Sequence, residues 1–183
     1  MRGYFGIGVE GLSKPMNLGS VMRSAHAFGA SFVFTIGSSY AETDGAKSDT
    51  SRAPAHVPFY EFENLEAMRL PRDCSLVGVE LIEGAVELPS FRHPQCAAYV
   101  LGAERGDLSS PLIARCSHMV RIPTEFCVNV GVAAAIVMYD RIMTLGRYPP
   151  RPVRPGGPVE GLPAHVFGPP RFRRSGTVEA SKE

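Results

Sequence analysis

The first 36 residues follow a strand, helix, strand order, and this order constrains the fold more than any other feature. Residues Tyr4–Val9 alternate bulky side chains with glycine, as a buried strand does where backbones approach closely. Pro15–Asn17 opens a helical pattern that ends at Gly29, and Ser31–Ile36 is rich in β-branched and aromatic residues. This βαβ unit predicts an α/β fold with a mostly parallel sheet flanked by helices.

The rest of the folded part continues in the same way. We expect Asn17, a residue type preferred at helix N-caps, to cap the first helix. Further strands are predicted at Val57–Tyr60, Ser75–Leu81, Cys96–Leu101 and Met119–Ile122. Val128–Leu145 has the strongest helical pattern. Its predicted buried face carries Val128, Val132, Ala135, Ile136, Tyr139 and Ile142, and leaves Asp140 and Arg141 outside.

Composition excludes several classes of protein. The chain is 44% apolar and 20% charged, as folded globular domains are. Its longest apolar run is about half of what spans a bilayer, and its N-terminus lacks the apolar stretch of a signal peptide. The four cysteines form no C-x-x-C pair and do not cluster with histidine, which argues against a zinc site. We therefore expect a cytoplasmic protein with no membrane segment and no metal.

Charge and proline content change near residue 146. Residues 1–146 carry 12 Lys/Arg against 15 Asp/Glu, whereas residues 147–183 carry 7 against 3. Eight of the 16 prolines lie between Pro149 and Pro170. We predict a folded domain over 1–146 and a disordered tail, rich in proline and arginine, over 147–183.

Gly6, Gly8 and Gly11 match the dinucleotide-binding fingerprint G-x-G-x-x-G. That fingerprint requires the glycines to lead directly into a helix whose N-terminus holds the pyrophosphate. Here residues 12–15 intervene, and no acidic residue ends the second predicted strand. The pattern therefore disfavours a nicotinamide-dependent enzyme.

Three other segments matter jointly, although each has an ordinary structural interpretation. Asn17–Arg23 reads alone as a helix cap followed by a solvated arginine. Leu101–Leu108 is a strand that ends in a glycine-flanked turn containing Glu104, at the edge where parallel sheets bind ligands. Ile122–Asn129 leads into a helix with small residues in its first turns, which would let a ligand approach closely.

In this order and spacing, the three segments resemble the SpoU/TrmH family of the SPOUT class of RNA methyltransferases. That family carries N-x-G-x-x-x-R, a later L-G-x-E-x-x-G, and I-P followed by S-x-N-V-x-x-A-A. The resemblance covers nearly all of residues 3–146, with Cys127 where the family usually has serine. The matching residues are Asn17, Gly19, Arg23, Leu101, Gly102, Glu104, Ile122, Pro123, Asn129, Val130, Ala133 and Ala134, with Gly106 one place earlier than in some members.

The resemblance implies a C-terminal trefoil knot and a homodimer that binds S-adenosylmethionine at its interface. It also implies methyl transfer to a ribose 2′-hydroxyl of tRNA or rRNA. A base-directed methyltransferase and a knotted protein that binds RNA or S-adenosylmethionine without catalysis are the alternatives. The implied donor contacts are Leu101, Gly102, Ala103, Glu104, Ile122, Pro123, Val128, Asn129 and Ala133.

Roles for the catalytic candidates follow from the same resemblance. Arg23 would clamp the phosphate beside the target ribose and favour the developing alkoxide, with the RNA phosphate or Arg23 accepting the proton. Asn129 would orient the ribose or the loop, Asn17 would hold the helix of Arg23, and Glu104 would fix the turn backbone. Cys127 is expected to be a buried, adaptable thiol rather than a nucleophile.

The tail is the last candidate element. Its arginines would contribute nonspecific affinity for RNA, since phosphate neutralisation dominates such binding. The alternative is a tail that only keeps the protein in solution. The residues concerned are Arg147, Arg151, Arg154, Arg171, Arg173 and Arg174.

Overall fold

The computed structural model describes residues 3–39, 56–103, 106–146, 148, 151–152 and 155–156. Its contacts divide the chain into two units, Met1–Leu145 and Gly146–Glu183. In the first unit, the described strands form a seven-stranded sheet in which each adjacent pair is parallel. The predicted α/β fold with a parallel sheet is confirmed, and the trefoil knot stays a prediction.

Seven strands and three α-helices make up the described part of this unit. The strand order across the sheet is β3-β2-β1-β6-β4-β7-β5. The strands are β1 Tyr4–Glu10, β2 Phe32–Ile36, β3 Phe59–Phe62, β4 Ser75–Val79, β5 Val86–Glu87, β6 Cys96–Gly102 and β7 His118–Arg121. The helices are α1 Pro15–Phe28, α2 Ser110–Arg115 and α3 Val130–Leu145, and Leu88–Ser90 forms a short 3₁₀ turn.

The glycines of β1 make room for aromatic side chains of the neighbouring strand. A Cβ atom on Gly6 would lie 2.3 Å from the ring of Phe32, and one on Gly8 would lie 2.4 Å from the ring of Phe34. The predicted close approach is therefore real, but the partners are phenylalanine rings rather than a backbone. These rings anchor β2 beside β1 and complete the predicted βαβ unit.

Helix α1 begins earlier than the sequence indicated. Lys14 occupies the N-cap position in an extended conformation and Pro15 is the first helical residue, a position that proline favours. Asn17 lies inside the first turn and is buried, so the prediction that it caps the helix is wrong. The predicted stop is confirmed, because Gly29 adopts the left-handed conformation with φ of 72°.

Helix α3 packs on the sheet through a different face from the predicted one. Val132 and Tyr139, which were placed in the core, are each 51% exposed. Arg141, which was placed outside it, is only 4% exposed. The helix is apolar around most of its circumference, so periodicity alone could not select the buried stripe. Its buried residues are Val130, Gly131, Ala133, Ala134, Val137, Met138 and Arg141.

A polar network fastens α3 to the amino edge of the sheet. The Arg141 guanidinium donates to the carbonyls of Pro94 and Gln95, at 2.6 Å each, and to the Tyr99 hydroxyl at 3.0 Å. His93 bridges the Tyr99 hydroxyl, 2.6 Å from Nδ1, and the Asp140 carboxylate, 2.9 Å from Nε2. Each buried polar group in this network has a partner, which is the condition for its burial.

This network makes stability depend on pH. Burial lowers the pKa of His93 below its ordinary value of 6.5, with Arg141 acting in the same direction and Asp140 opposing. The unfolded chain therefore binds the proton first, and the stability contributed by neutral His93 is lost as the pH falls below about 6.5. Urea unfolding between about pH 7.5 and 5.5 should show a steeper loss for the wild type than for His93→Gln. Equal slopes would contradict this prediction.

Across the described residues, no helix is both long and apolar enough to cross a membrane.

Candidate active site

A cavity of about 520 Å³ opens at the carboxyl edge of the sheet, where β4, β6 and β7 end beside the start of α3. Parallel sheets bind ligands at this edge, and small-molecule sites have volumes of about 300–1,000 Å³. Pro123 is not among the lining residues, and Glu104 lies outside the described part of the chain. The predicted donor contacts that line the cavity are Leu101, Gly102, Ala103, Ile122, Val128, Asn129 and Ala133.

Asn129 joins the cavity to α1. Its Oδ1 accepts a hydrogen bond from the Gly131 N–H at 2.9 Å, so Asn129 caps α3. Its Nδ2 then donates to Oδ1 of the buried Asn17 at 3.0 Å. The asparagines of the first and third motifs are therefore bonded to each other, although 112 positions separate them.

The two helices meet closely beside this bond. A Cβ atom on Gly131 would lie 2.8 Å from Cβ of Ser20, so a larger residue at position 131 would push α3 away from α1. The small residues that the sequence shows at the start of α3 thus serve helix packing at Gly131. Ala133, two residues further along the helix, lines the cavity instead.

Arg23 lies on the exposed side of α1 and does not line the cavity of its own chain. Beside it, the exposed sides of α1 and α3 form a shallow, mainly apolar groove of about 470 Å³. Most of the α3 face that was predicted to be core lines this groove. The lining residues are Ser20, Ser24, Phe28, Asn129, Gly131, Val132, Ala135, Ile136 and Tyr139.

Cys127 lines the cavity but is exposed, so the expectation of a buried thiol is wrong. The reason is local: residues 124–127 form an exposed loop between β7 and α3, in which Phe126 is 75% exposed. No histidine hydrogen bond to Cys127 occurs among the described residues, and a nucleophile of this type needs such a base.

Lining residues that the sequence analysis missed include Lys14, Val79, Glu80 and Thr124. Glu80 carried a usable signal, because an acidic residue near the carboxyl end of a predicted parallel strand, here Ser75–Leu81, belongs at this edge. The described residues contain no group of three or more histidine, cysteine or acidic side chains that could hold a metal ion.

The family is settled by a match between residues 5–139 and the model of the SpoU rRNA Methylase family. This chain belongs to that family. The matched range contains both asparagines and all the residues that line the cavity and the groove, so these sites belong to the family domain.

Relatives of known sequence and structure agree with this assignment. The 23S rRNA (guanosine-2′-O-)-methyltransferase RlmB of Nitrosomonas europaea is 29% identical over 140 residues, which are 72% of this chain and 53% of RlmB. The mouse tRNA (guanosine(18)-2′-O)-methyltransferase TARBP1 is 28% identical over 138 residues, 70% of this chain and 9% of TARBP1. This chain thus spans about half the length of most of the curated relatives that it matches, and far less of TARBP1.

The fold also matches that of a solved relative. The crystal structure of an AdoMet-bound rRNA methyltransferase from Sinorhizobium meliloti superposes with a TM-score of 0.69 at 21% identity, over 79% of this chain and 58% of that one. At this identity the match supports the fold of the SpoU domain.

Proposed function

We propose that this chain transfers a methyl group from S-adenosylmethionine to a ribose 2′-hydroxyl in tRNA or rRNA. One observation carries the proposal: residues of the second and third motifs line one cavity, and the Asn17–Asn129 hydrogen bond ties it to the first motif. Three distant segments therefore meet at one place, as a shared site requires. Family membership and the named activities of RlmB and TARBP1 support the same reaction.

The cavity fits S-adenosylmethionine in size and chemistry. Leu101, Ile122 and Val130 offer apolar surface to the adenine, while Glu80 and Asn129 offer polar groups. Ala133 is small and leaves room in the cavity where a larger side chain would intrude. When bound, the sulfonium of this cofactor supplies an electrophilic methyl group.

The protein's own task is to bring a weakly acidic hydroxyl to that methyl group. A guanidinium keeps its positive charge in ordinary protein environments and binds phosphate through two parallel hydrogen bonds. Arg23 would hold the phosphate beside the target ribose in this way and stabilise the negative charge that develops on the 2′-oxygen. Asn129 would orient the ribose, and its bond to Asn17 keeps α1 at a fixed distance from the cavity. Glu104 would hold the backbone of the turn after β6.

Arg23 can serve a cavity that it does not line if the cavity belongs to a second copy of the chain. We therefore propose a homodimer in which each subunit supplies Arg23 to its partner's site. The groove supports this arrangement, because Val132 and Tyr139 expose apolar surface there and Arg23 lies on the same side of α1 as Ser20. Exposed apolar patches of this kind mark interaction surfaces.

The tail, residues 147–183, is also proposed to contribute to RNA binding. Tail arginines would add nonspecific affinity for RNA phosphates. Arg151 is described and exposed, and the other five lie outside the described residues. We also propose that the protein is cytoplasmic and that its domain contains the trefoil knot.

Incubation with methyl-labelled S-adenosylmethionine and total RNA tests the reaction. A 2′-O-methyl group removes the hydroxyl that alkaline hydrolysis needs, so the label should appear in alkali-resistant dinucleotides. Label in mononucleotides would instead indicate base methylation. Binding of S-adenosylmethionine or RNA without incorporation of label would indicate a protein that binds but does not catalyse.

Cys127→Ser should retain methyl transfer near the wild-type rate. The thiol lies at the wall of the cavity on an exposed loop, and serine is smaller, so the change removes no packed group. Single-turnover rates of the two proteins on the same RNA would show the effect. A loss of an order of magnitude or more would mean that the thiol takes part in the reaction.

A further inference from the structure

Two glutamates flank Gly102 from the strands on either side of β6. Glu10 is the β1 partner of Gly102, and Glu80 directly follows Val79, the β4 partner of Leu101. Both carboxylates therefore stand at the level where β6 ends and the wall of the cavity begins. Each is partly buried, and neither forms a salt bridge within the described part of the chain.

Both carboxylates accept hydrogen bonds from residues 108 and 109, which follow the cavity-lining residues Gly106 and Asp107. Glu80 accepts the Leu108 N–H at 3.0 Å through Oε2 and the Leu81 N–H at 2.9 Å through Oε1. Glu10 accepts the Ser109 N–H at 2.7 Å through Oε2 and the Ser109 hydroxyl at 2.6 Å through Oε1. Two successive residues, 108 and 109, are thus held by two carboxylates from different strands.

The turn held in this way forms one wall of the cavity. Gly102, Ala103, Gly106 and Asp107 all line it. The turn is closely folded, because a Cβ atom on Gly102 would lie 2.8 Å from the Gly106 carbonyl oxygen and 3.0 Å from Glu80 Oε2. A shift of residues 108 and 109 would therefore move this wall of the cavity towards the end of β6 or away from it.

We propose that Glu10 and Glu80 are positioning residues that set the shape of the donor cavity by anchoring residues 108 and 109. The inference rests on the proposed function in that the ligand is taken to be S-adenosylmethionine. The carboxylate is the required group, since it presents two acceptor oxygens and no donor. At position 80, a glutamine would turn its NH₂ group towards one of the two N–H donors, Leu81 or Leu108, and leave that donor without a partner. At position 10, the Ser109 hydroxyl can turn and accept from a glutamine NH₂ group, so the disturbance is smaller.

Glu80→Gln and Glu10→Gln test the proposal with S-adenosylmethionine as the probe in isothermal titration calorimetry, without RNA. Glu80→Gln should raise the Kd about tenfold, the effect expected when a partly buried donor loses its acceptor, and Glu10→Gln should raise it less. Glu87→Gln is the matched control. Glu87 pairs with Arg121 on the surface at β5, so the Glu87→Gln variant should bind S-adenosylmethionine with the Kd of the wild type.

Amide hydrogen exchange separates positioning from general stability. Exchange at Leu108 should accelerate in Glu80→Gln, while the amides of β6 stay protected. Accelerated exchange throughout β6 would overturn the proposal, because the glutamate would then support the sheet rather than the turn.

The outcomes for this inference and for the proposed function are distinct. A wild-type protein that does not bind S-adenosylmethionine would overturn the proposed function and this inference with it. A wild-type protein that binds it, with both glutamine variants binding equally well, would overturn the inference alone.

Discussion

Arg23→Ala should lower the rate of methyl transfer by about a thousandfold while leaving the affinity for S-adenosylmethionine nearly unchanged. Arg23 does not line the donor cavity of its own chain, so its loss should not disturb the donor contacts of that chain. It should remove the cation that stabilises the developing charge on the ribose oxygen. Single-turnover assays with labelled donor would measure the rate, and calorimetry would measure the donor Kd. Arg23→Lys should recover only part of the rate, because an ammonium cannot form the paired hydrogen bonds.

Mixing variants would show whether the site is shared between subunits. Arg23→Ala and Asn129→Ala should each be inactive alone, but a heterodimer of the two retains one site with both residues intact. Activity should therefore return on mixing. Arg92→Ala, which removes an exposed arginine elsewhere, should behave as the wild type.

If Arg23→Ala keeps more than about a tenth of the wild-type rate, the role given to its guanidinium is wrong.

Arg141→Met should lower the free energy of unfolding by about 3 kcal/mol or more. The guanidinium is 4% exposed and donates to three backbone carbonyls and to the Tyr99 hydroxyl. It also lies 5.2 Å from the centre of the Phe5 ring, a cation–π contact. Methionine fills much of the volume but leaves those acceptors without their donor. Urea unfolding at neutral pH would measure the difference.

Arg121→Met is the matched control for this loss. Its partner is Glu87 at 3.0 Å, and the two side chains are 41% and 51% exposed. Exposed pairs of this kind contribute less than about 1 kcal/mol. Equal destabilisation by the two substitutions would show that the buried network around Arg141 does not stabilise the fold as described.

Sequence patterns predicted those parts of the fold that depend on interactions between residues close together in the chain. The βαβ unit and the Gly29 stop were predicted because strand composition, helix spacing and the left-handed preference of glycine act within a few residues. The buried face of α3 was predicted wrongly. Valine, alanine and isoleucine surround that helix, and what decides its orientation is the set of carbonyls that Arg141 meets at the amino edge of the sheet.

The same division holds for the candidate site. Most of the residues that the family resemblance implied as donor contacts do line the cavity. The bond between Asn17 and Asn129 was not predicted, because each asparagine reads by itself as an ordinary helix cap. Glu80 was missed for a related reason: it belongs to no motif, and its partner at residue 108 becomes its neighbour only when β4 and β6 pair.

The pairing of β1 with β6 has a consequence for synthesis of the chain on the ribosome. Tyr4 aligns with Cys96, so β1 can pair with β6 only after most of the domain has been translated. Until then one edge of an apolar strand has no hydrogen-bonding partner, and such edges promote association between incomplete chains. The proposed methyl donor would not stabilise these intermediates, because the cavity proposed to bind it is lined by residues as late in the chain as Ala133. The methyl donor should therefore stabilise only finished molecules and leave the yield of folding from nascent chains unchanged.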